Sequence, residues 1–295
     1  MIEPGVSGAP PAAWEDVVVL IPVYNNEAGL VRTLRSIAGA GPYQVVVVDD
    51  GSTPPVSRSL AVGGPPPVVI RNVKNGGVAV ALNLGLTRIL GERRWKYVAR
   101  LDAGDTVHPK RFERQRQRLE TDPQLGIISS WVRYVDRMRE DRTFVYRPPS
   151  GMARVRRAMR VRSVLIHPAV MFRLDVFREG SLYSTGFPAC EDYELLRRLL
   201  RRYQGDNIPE VLTECEQNAG GVSRSQRRRQ LLAKLRVQAL NWEWAPSSVL
   251  GIGLTVAGLF APWSLVAAMR HWRAWRWLTY AQREAPAGSD AAADS

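Results

Sequence analysis

The chain has 295 residues, enough for one full-sized domain with an appendage, and its 45% apolar and 23% charged content excludes extensive disorder. A formal charge of +13 calls for an anionic partner: nucleic acid, an anionic membrane face or a phosphorylated substrate. Cys190 and Cys215 have no metal-ligand spacing and read as reduced side chains of a cytosolic protein, and residues 1–14 carry no secretory signal pattern. After this Pro/Gly/Ala-rich lead-in, Val17 to Ile21 is a predicted strand that stops at Pro22, which lacks the next ladder donor. Leu30, Leu34 and Ile37 fall at helical spacing in a predicted helix from Glu27 to Ala40. Val45 to Val48 is a β-branched run that ends in Asp49-Asp50-Gly51-Ser52. Val68 to Ile70 is a short third strand, and Gly77 to Ile89 a helix with Val78, Leu82 and Leu86 on one side. Tyr97 to Leu101 is a fourth strand and runs into Asp102-Ala103-Gly104-Asp105. Strands that alternate with helices predict an α/β fold with a mostly parallel sheet covered on both faces. In such a sheet the strand ends are where ligands bind, and carboxylates gathered there predict a divalent metal and the phosphates it neutralises.

The second half is less regular. Leu125 to Trp131 and Ala169 to Phe172 are predicted strands, with the basic stretch Arg154 to Arg162 between them as a short helix. Glu191 opens a clear helix whose apolar stripe is Leu195, Leu196, Leu199, Leu200 and Tyr203. These elements complete a predicted catalytic domain over residues 15–222. Residues 223–280 differ in character. Arg224 and Arg227-Arg228-Arg229 introduce a basic helix through Leu231, Leu235 and Leu240, and Ser247 to Met269 then carries no charged residue. At about 1.5 Å per residue that stretch is long enough to cross a bilayer core of about 30 Å. Gly251, Gly253, Gly258 and Pro262 interrupt it, however, and Arg270-His271-Trp272-Arg273-Ala274-Trp275-Arg276-Trp277 follows at once. Tryptophans with arginines suit a headgroup-level segment. A single crossing would place the α/β domain outside, so peripheral or re-entrant attachment to an anionic membrane surface, at the cytoplasmic face of the inner membrane, is the expectation. A hairpin packed into the core is the alternative. Residues 281–295 read as a loose tail.

Five segments in order strongly resemble the family 2 glycosyltransferases of the GT-A fold: Ile21-Pro22-Val23-Tyr24-Asn25-Asn26-Glu27, Val48 to Ser52, Asn75 to Gly85, Arg100 to Asp105 and Glu191-Asp192-Tyr193-Glu194-Leu195. The resemblance spans about Val17 to Gly221. It implies inverting transfer from a nucleotide-diphosphate sugar to an acceptor hydroxyl, assisted by Mg2+ or Mn2+. By the same resemblance Pro22, Tyr24 and Glu27 line the nucleotide pocket, Asp50 lies near the nucleobase and ribose, and Asp102 is the first acid of the metal motif. The commonest form of that motif is Asp-Ala-Asp-Asp; here the third position is Gly104 and the fourth Asp105. Asp105 then either reaches the metal, directly or through water, or metal dependence is weakened. Asp192 matches the catalytic base, with Glu191 beside it, and the region of His167-Pro168 matches the acceptor pocket. The absence of a Gln-x-x-Arg-Trp motif argues for adding one or a few sugars rather than a long polymer.

The residues support this chemistry in their own right, with bland readings beside it. A carboxylate near a helix start is held ionised and ready to accept a proton, although Glu191 or Asp192 could equally serve as a helix cap. Asn75 and Gly76-Gly77 let backbone approach a nucleotide or simply start a helix. His167 is a site residue or a hydrogen-bonded packing residue. A nucleotidyltransferase would also use such a sheet with acid-bound metal, but would carry a Gly-rich basic signature near the first strand, where Pro22-Val23-Tyr24-Asn25 stands instead. A nucleic-acid-binding protein would explain the charge. The basic residues, however, gather around an apolar C-terminal zone rather than among stacking aromatics, so no nucleic-acid partner is expected. The acceptor expected is a glycan or lipid-linked glycan precursor.

Overall fold

A computed structural model describes residues 13–57, 59–60, 62–137, 143–178, 180–217 and 227–261. After a short helical turn, α1 (Ala13–Asp16), the chain alternates β1 (Val17–Val23), α2 (Glu27–Ala38), β2 (Gln44–Asp50), β3 (Val68–Asn72), α3 (Val78–Glu92) and β4 (Tyr97–Arg100). β1 is buried along its whole length because its alternate residues enter two different cores. Val18 and Leu20 join the layer beneath α3, whereas Val17, Val19, Ile21 and Val23 join the layer beneath α2. β1 does not stop at Pro22; it runs through it to Val23, paired with β2. Leu20 O accepts from Leu101 N at 3.2 Å, so Leu20, and two residues later Pro22, point toward β4. The β1–β4 ladder ends at Leu20, so the missing N–H of Pro22 faces no strand.

The remaining elements are β5 (Thr106–Val107), α4 (Arg111–Glu120), β6 (Leu125–Val135), β7 (Phe144–Tyr146), α5 (Met152–Met159), β8 (Met171–Arg173), α6 (Asp175–Arg178), α7 (Glu191–Leu199) and β9 (Gln204–Glu216). The nine-stranded sheet has the order β3-β2-β1-β4-β8-β6-β9-β5, with β7 paired to β6. The first four strands are parallel, as expected. β8 then inserts antiparallel between β4 and β6, and the second half is mixed.

Two of these elements have no clear sequence signal. α4 has only Phe112 and Leu119 as apolar residues, and its inner face is completed by buried Arg111, Gln115 and Arg116. Arg111 Nη2 donates to Arg100 O at 2.8 Å, and Gln115 Nε2 to Ala169 O at 2.7 Å, so this polar face braces the end of β4. β9 contains Pro209, which reads as a break. The register passes from Ser130↔Ile208 to Trp131↔Val211, so Pro209 lies in a bulge.

Two helices follow, α8 (Arg227–Leu240) and α9 (Pro246–Phe260). Val237 of α8 enters the core beside Leu195 and Leu196 of α7. Glu243, in the connection, pairs with Arg160 at 2.5 Å and Arg197 at 3.3 Å. The basic helix is thus seated on the catalytic unit. Among the described residues no helix is long and apolar enough to cross a membrane. Residues 1–12, Arg224, the stretch from Pro262 to Met269, Arg270 to Trp277 and the tail lie outside the described residues.

Candidate active site

A cleft of about 390 Å³ opens at the carboxyl ends of β1 and β4, lined by Pro22, Tyr24, Asn26, Asp102, Asp105 and Glu216 among others. Four predicted residues therefore meet there: Pro22, Tyr24, Asp102 and Asp105. Tyr24 is 52% exposed, a ring presented to the opening.

The predicted Asp50 sits beside the cleft as a loop organiser. Its Oδ1 accepts from Asn72 Nδ2 (2.9 Å) and Gly76 N (3.0 Å), and its Oδ2 from Gly77 N (2.8 Å). Asn75 and Gly76 are exposed on the loop so held. Gly51, at φ +81°, lets that loop approach, because a Cβ would lie 2.7 Å from Asn75 N. The neighbouring Asp49 is inward and structural, accepting from Ser52 N at 2.9 Å and Val56 N at 3.1 Å. Burial alone would raise its pKa, but the bonds from Ser52 and Val56 outweigh this and lower it. Glu27 accepts from Ser57 N at 3.1 Å and ties the start of α2 to the same loop.

The acid turn Asp102–Asp105 is pinned by α2. Asn26 caps that helix by accepting from Gly29 N at 3.1 Å and donates through Nδ2 to Ala103 O at 2.8 Å. Thr33 is fully buried; its Oγ1 accepts from Gly104 N at 2.9 Å and donates to Asp105 O at 2.7 Å. Neither residue was singled out from the sequence, although Thr33 is a polar residue on the Leu30–Leu34–Ile37 stripe. Thr33→Val keeps the shape and leaves the Gly104 N–H unpartnered, at a cost of about 1–3 kcal/mol. The urea midpoint is expected to fall and the KM for donor to rise; an unchanged midpoint would show that Thr33 does not hold the turn.

Gly104 has a structural reason. Its φ is +116°, and a Cβ there would lie 2.9 Å from Glu216 Oε2. Glu216 fills the space of the missing side chain, and its own carboxylate is held by Arg32 at 2.6 Å and Arg137 at 3.5 Å. Asp105 is buried and accepts from Glu216 N at 2.8 Å. Burial, then the nearby Asp102, push its pKa up to about 7. Asp102 is the open carboxylate, 43% exposed at its side chain, with Oδ1 on Arg100 Nη2 at 2.5 Å. Among the described residues no three His, Cys, Asp or Glu side chains converge to hold a metal on their own. An exposed Asp102 backed by Asp105 fits a Mg2+- or Mn2+-type site in which one or two carboxylates share the ion with substrate phosphates.

Arg100 is the site residue that sequence reasoning missed, a lone cation at the end of an apolar strand. It is 4% exposed, and its Nε and Nη1 have no hydrogen-bond partner among the described residues. Asp192 and Glu191 open α7 and are half-buried. Asp192 Oδ1 accepts from Tyr193 N at 2.7 Å, so it partly caps its helix. The expectation that the helix start holds Asp192 ionised needs correction. Burial raises its pKa, and the Tyr193 N–H and Arg100 only partly offset that. Glu191 is raised by burial, then by Asp192. His167 lies behind the cleft wall rather than in it. It is buried, its Nε2 is 2.7 Å from Tyr183 Oη, and burial followed by Arg100 lowers its pKa well below the usual value, leaving a neutral ring. Its neighbour Pro168 lines the cleft.

Were Asp192 to serve as a base it would work only above its raised pKa, so activity would fall as pH drops through that value, at a higher pH than an ordinary aspartate gives. Arg100→Met removes the cation that favours ionised Asp192 and should move this acid limb of kcat/KM to higher pH. Arg100→Lys should leave it closer to the parent. Coincident limbs in all three proteins would contradict the coupling.

The glycosyl transferase family 2 profile matches residues 18–181. The amylovoran biosynthesis glycosyltransferase AmsE of Erwinia amylovora is 31% identical over 218 residues, covering 70% of this chain and 78% of that protein. The UDP-Gal:alpha-D-GlcNAc-diphosphoundecaprenol beta-1,3-galactosyltransferase of Escherichia coli is 28% identical over 205 residues, covering 66% and 72%. Among solved structures, residues 1–349 of S. aureus TarS in complex with UDP-GlcNAc superpose with a TM-score of 0.58 at 15% identity, over 83% of this chain and 70% of that one. The mannosyltransferase PcManGT from Pyrobaculum calidifontis in complex with GDP-Man and Mn2+ gives 0.57 at 20% identity, over 92% and 76%. At these identities the two structures establish a shared GT-A-like fold.

Proposed function

This chain belongs to glycosyl transferase family 2, and from that premise we propose that it carries out inverting transfer of a hexosyl unit from a nucleotide-diphosphate sugar to a hydroxyl of a lipid-linked glycan, with Asp192 as the base. The observation that carries this reading is one buried cation that acts on two acids. Arg100 pairs with Asp102 at the end of β4 and also favours the ionised form of Asp192 at the start of α7. The charge of Asp102 is itself felt at Asp192, so a diphosphate held at Asp102 and a base at Asp192 would belong to one site.

Tyr24 and the loop held by Asp50 flank the opening that receives the nucleotide. Arg100 holds Asp102 in place, and α2 fixes the turn behind it, so the carboxylate would receive the metal that neutralises the diphosphate without reorganising. When bound, Mg2+ or Mn2+ at Asp102, with Asp105 behind it, supplies charge neutralisation for the leaving diphosphate. Asp192 accepts the acceptor hydroxyl's proton as that oxygen attacks the anomeric carbon and the bond to the diphosphate breaks. Its raised pKa makes it a stronger base than an exposed aspartate. The lipid-linked acceptor draws its support from the Escherichia coli relative, which is named for a diphosphoundecaprenol-linked sugar. Such an acceptor places the enzyme at an anionic membrane surface, on the cytoplasmic face of the inner membrane where nucleotide sugars are made.

Incubation with a panel of UDP- and GDP-sugars and Mn2+, with and without a polyprenyl-diphosphate-linked sugar, tests this. Free nucleoside diphosphate, released faster when acceptor is present, is the expected product. Release of pyrophosphate would indicate nucleotidyl transfer instead.

A further inference from the structure

Helix α9 (Pro246–Phe260) is seated inside out. Toward the protein it turns Ser247, Ser248, Gly251 and Thr255, all buried. Toward solvent it turns Val249 (62% exposed), Leu250 (55%), Leu254 (56%) and Phe260 (81%). At about 100° per residue, these four fall on one arc and the buried four on the opposite one. Trp244, 93% exposed, stands just before the helix.

The seating is fixed by specific contacts. A Cβ on Gly251 would collide with the Arg160 carbonyl oxygen and lie 2.9 Å from Gln238 Nε2, so the backbone itself rests on the end of α5. Thr255 Oγ1 donates to Gly251 O at 2.8 Å and needs no solvent. Arg227 donates to Gly258 O at 2.6 Å and Ala261 O at 3.0 Å, closing the C-terminal end of α9 against the start of α8. Rotation to bury the apolar arc would break all of these.

Charge accompanies the apolar arc. The Arg227 contacts bring the first turn of α8 to the end of α9, and Arg228 and Arg229 in that turn are exposed. Between Arg227 and Ala261 the only acid is Glu243, already taken by Arg160 and Arg197. The sequence after Ala261 continues apolar to Met269 and then alternates arginine with tryptophan. We propose that the outward face of α9, with Arg228 and Arg229 at its C-terminal end, docks into the headgroup and acyl boundary of an anionic bilayer. A surface helix with an apolar arc and adjoining arginines has the composition such docking requires. A twofold contact between two copies would bury these cations with no acid to answer them, and folding the following segment back over the face would add Arg270, Arg273 and Arg276 to the same cluster. Phospholipid phosphates answer them directly. The inference deepens the lipid-linked-acceptor reading and rests on it for its biological sense, but its test reads binding rather than transfer.

Cys190 and Cys215 are the only cysteines and both are buried, so L254C takes an environment-sensitive dye at one place in the full chain. The dye should shift to the blue on adding vesicles containing phosphatidylglycerol and stay unshifted in buffer. L250E/L254E should cut vesicle partitioning by about tenfold or more for the two lost leucine contacts while leaving melting and nucleotide-sugar hydrolysis unchanged. Dye already shifted without vesicles would mean that the chain's own C-terminal segment or a second copy covers the face. That result, unbound parent protein, or undiminished binding of L250E/L254E would each overturn the proposal. Vesicle binding by a protein that hydrolyses no nucleotide sugar would support docking and remove the transferase reading.

Discussion

Asp192→Asn is expected to bind donor as the parent does and to transfer sugar slower by about 10²-fold or more, the usual worth of general base assistance. Asparagine keeps an oxygen to accept from Tyr193 N, now made at 2.7 Å, so the start of α7 should survive. It removes the one function that the amide cannot supply, taking the acceptor proton. Glu191→Gln, beside it, should cost far less. Transfer rates and donor affinity measured on the same preparations check this. Near-normal turnover of Asp192→Asn would remove Asp192 from the mechanism, whereas a parallel loss of donor affinity would make it a donor ligand.

The second large effect is expected at Asp102. Asp102→Asn keeps an oxygen for Arg100, avoiding a buried cation left without its partner, yet would remove the charge proposed to hold a metal against the donor diphosphate. Donor affinity in the presence of Mn2+ should fall by about 10²-fold, with turnover falling alongside it. The sequence offers Asp105 as an acid that reaches the metal directly or through water, and its burial gives it a structural part as well. Asp105→Ala leaves the Glu216 N–H unpartnered and should lower melting temperature as well as activity, whereas Asp102→Asn should lower activity with little change in melting. Calorimetry with donor and Mn2+ together with thermal melts separates the two. Unchanged donor affinity in Asp102→Asn would remove the metal from this end of the cleft.

Much of the candidate site was legible because its carboxylates sit at strand ends. The valine run of β2 and the Tyr97–Arg100 run announce where the sheet stops, and Asp50 and Asp102 follow directly. What could not be read is whatever depends on contacts between distant segments. Asp50 is a good sequence candidate, but its three bonds to Asn72, Gly76 and Gly77 emerge only when β2 and β3 lie side by side. Gly104 reads as a defect in an acidic motif until Glu216, more than a hundred residues later, is found against it. Arg100 reads as one of many arginines, because burial and proximity to Asp192 are tertiary properties. β9 was missed since Pro209 is a strand breaker locally, and a bulge against β6 accommodates it. The apolar C-terminal stretch was conspicuous, but its orientation was not: the composition of α9 gives no hint that its serines and threonine face the protein.

The most direct test of the account is the anomeric configuration of the product. A single displacement with Asp192 as base joins the acceptor oxygen to the face opposite the departing diphosphate. Proton NMR of the glycan formed from an α-linked nucleotide sugar should therefore show the coupling of a β-linkage from the first turnovers. An α-linked product would mean that the sugar passes through an intermediate or a front-face route, and the assignment of Asp192 as the sole proton acceptor in one inverting step would be wrong.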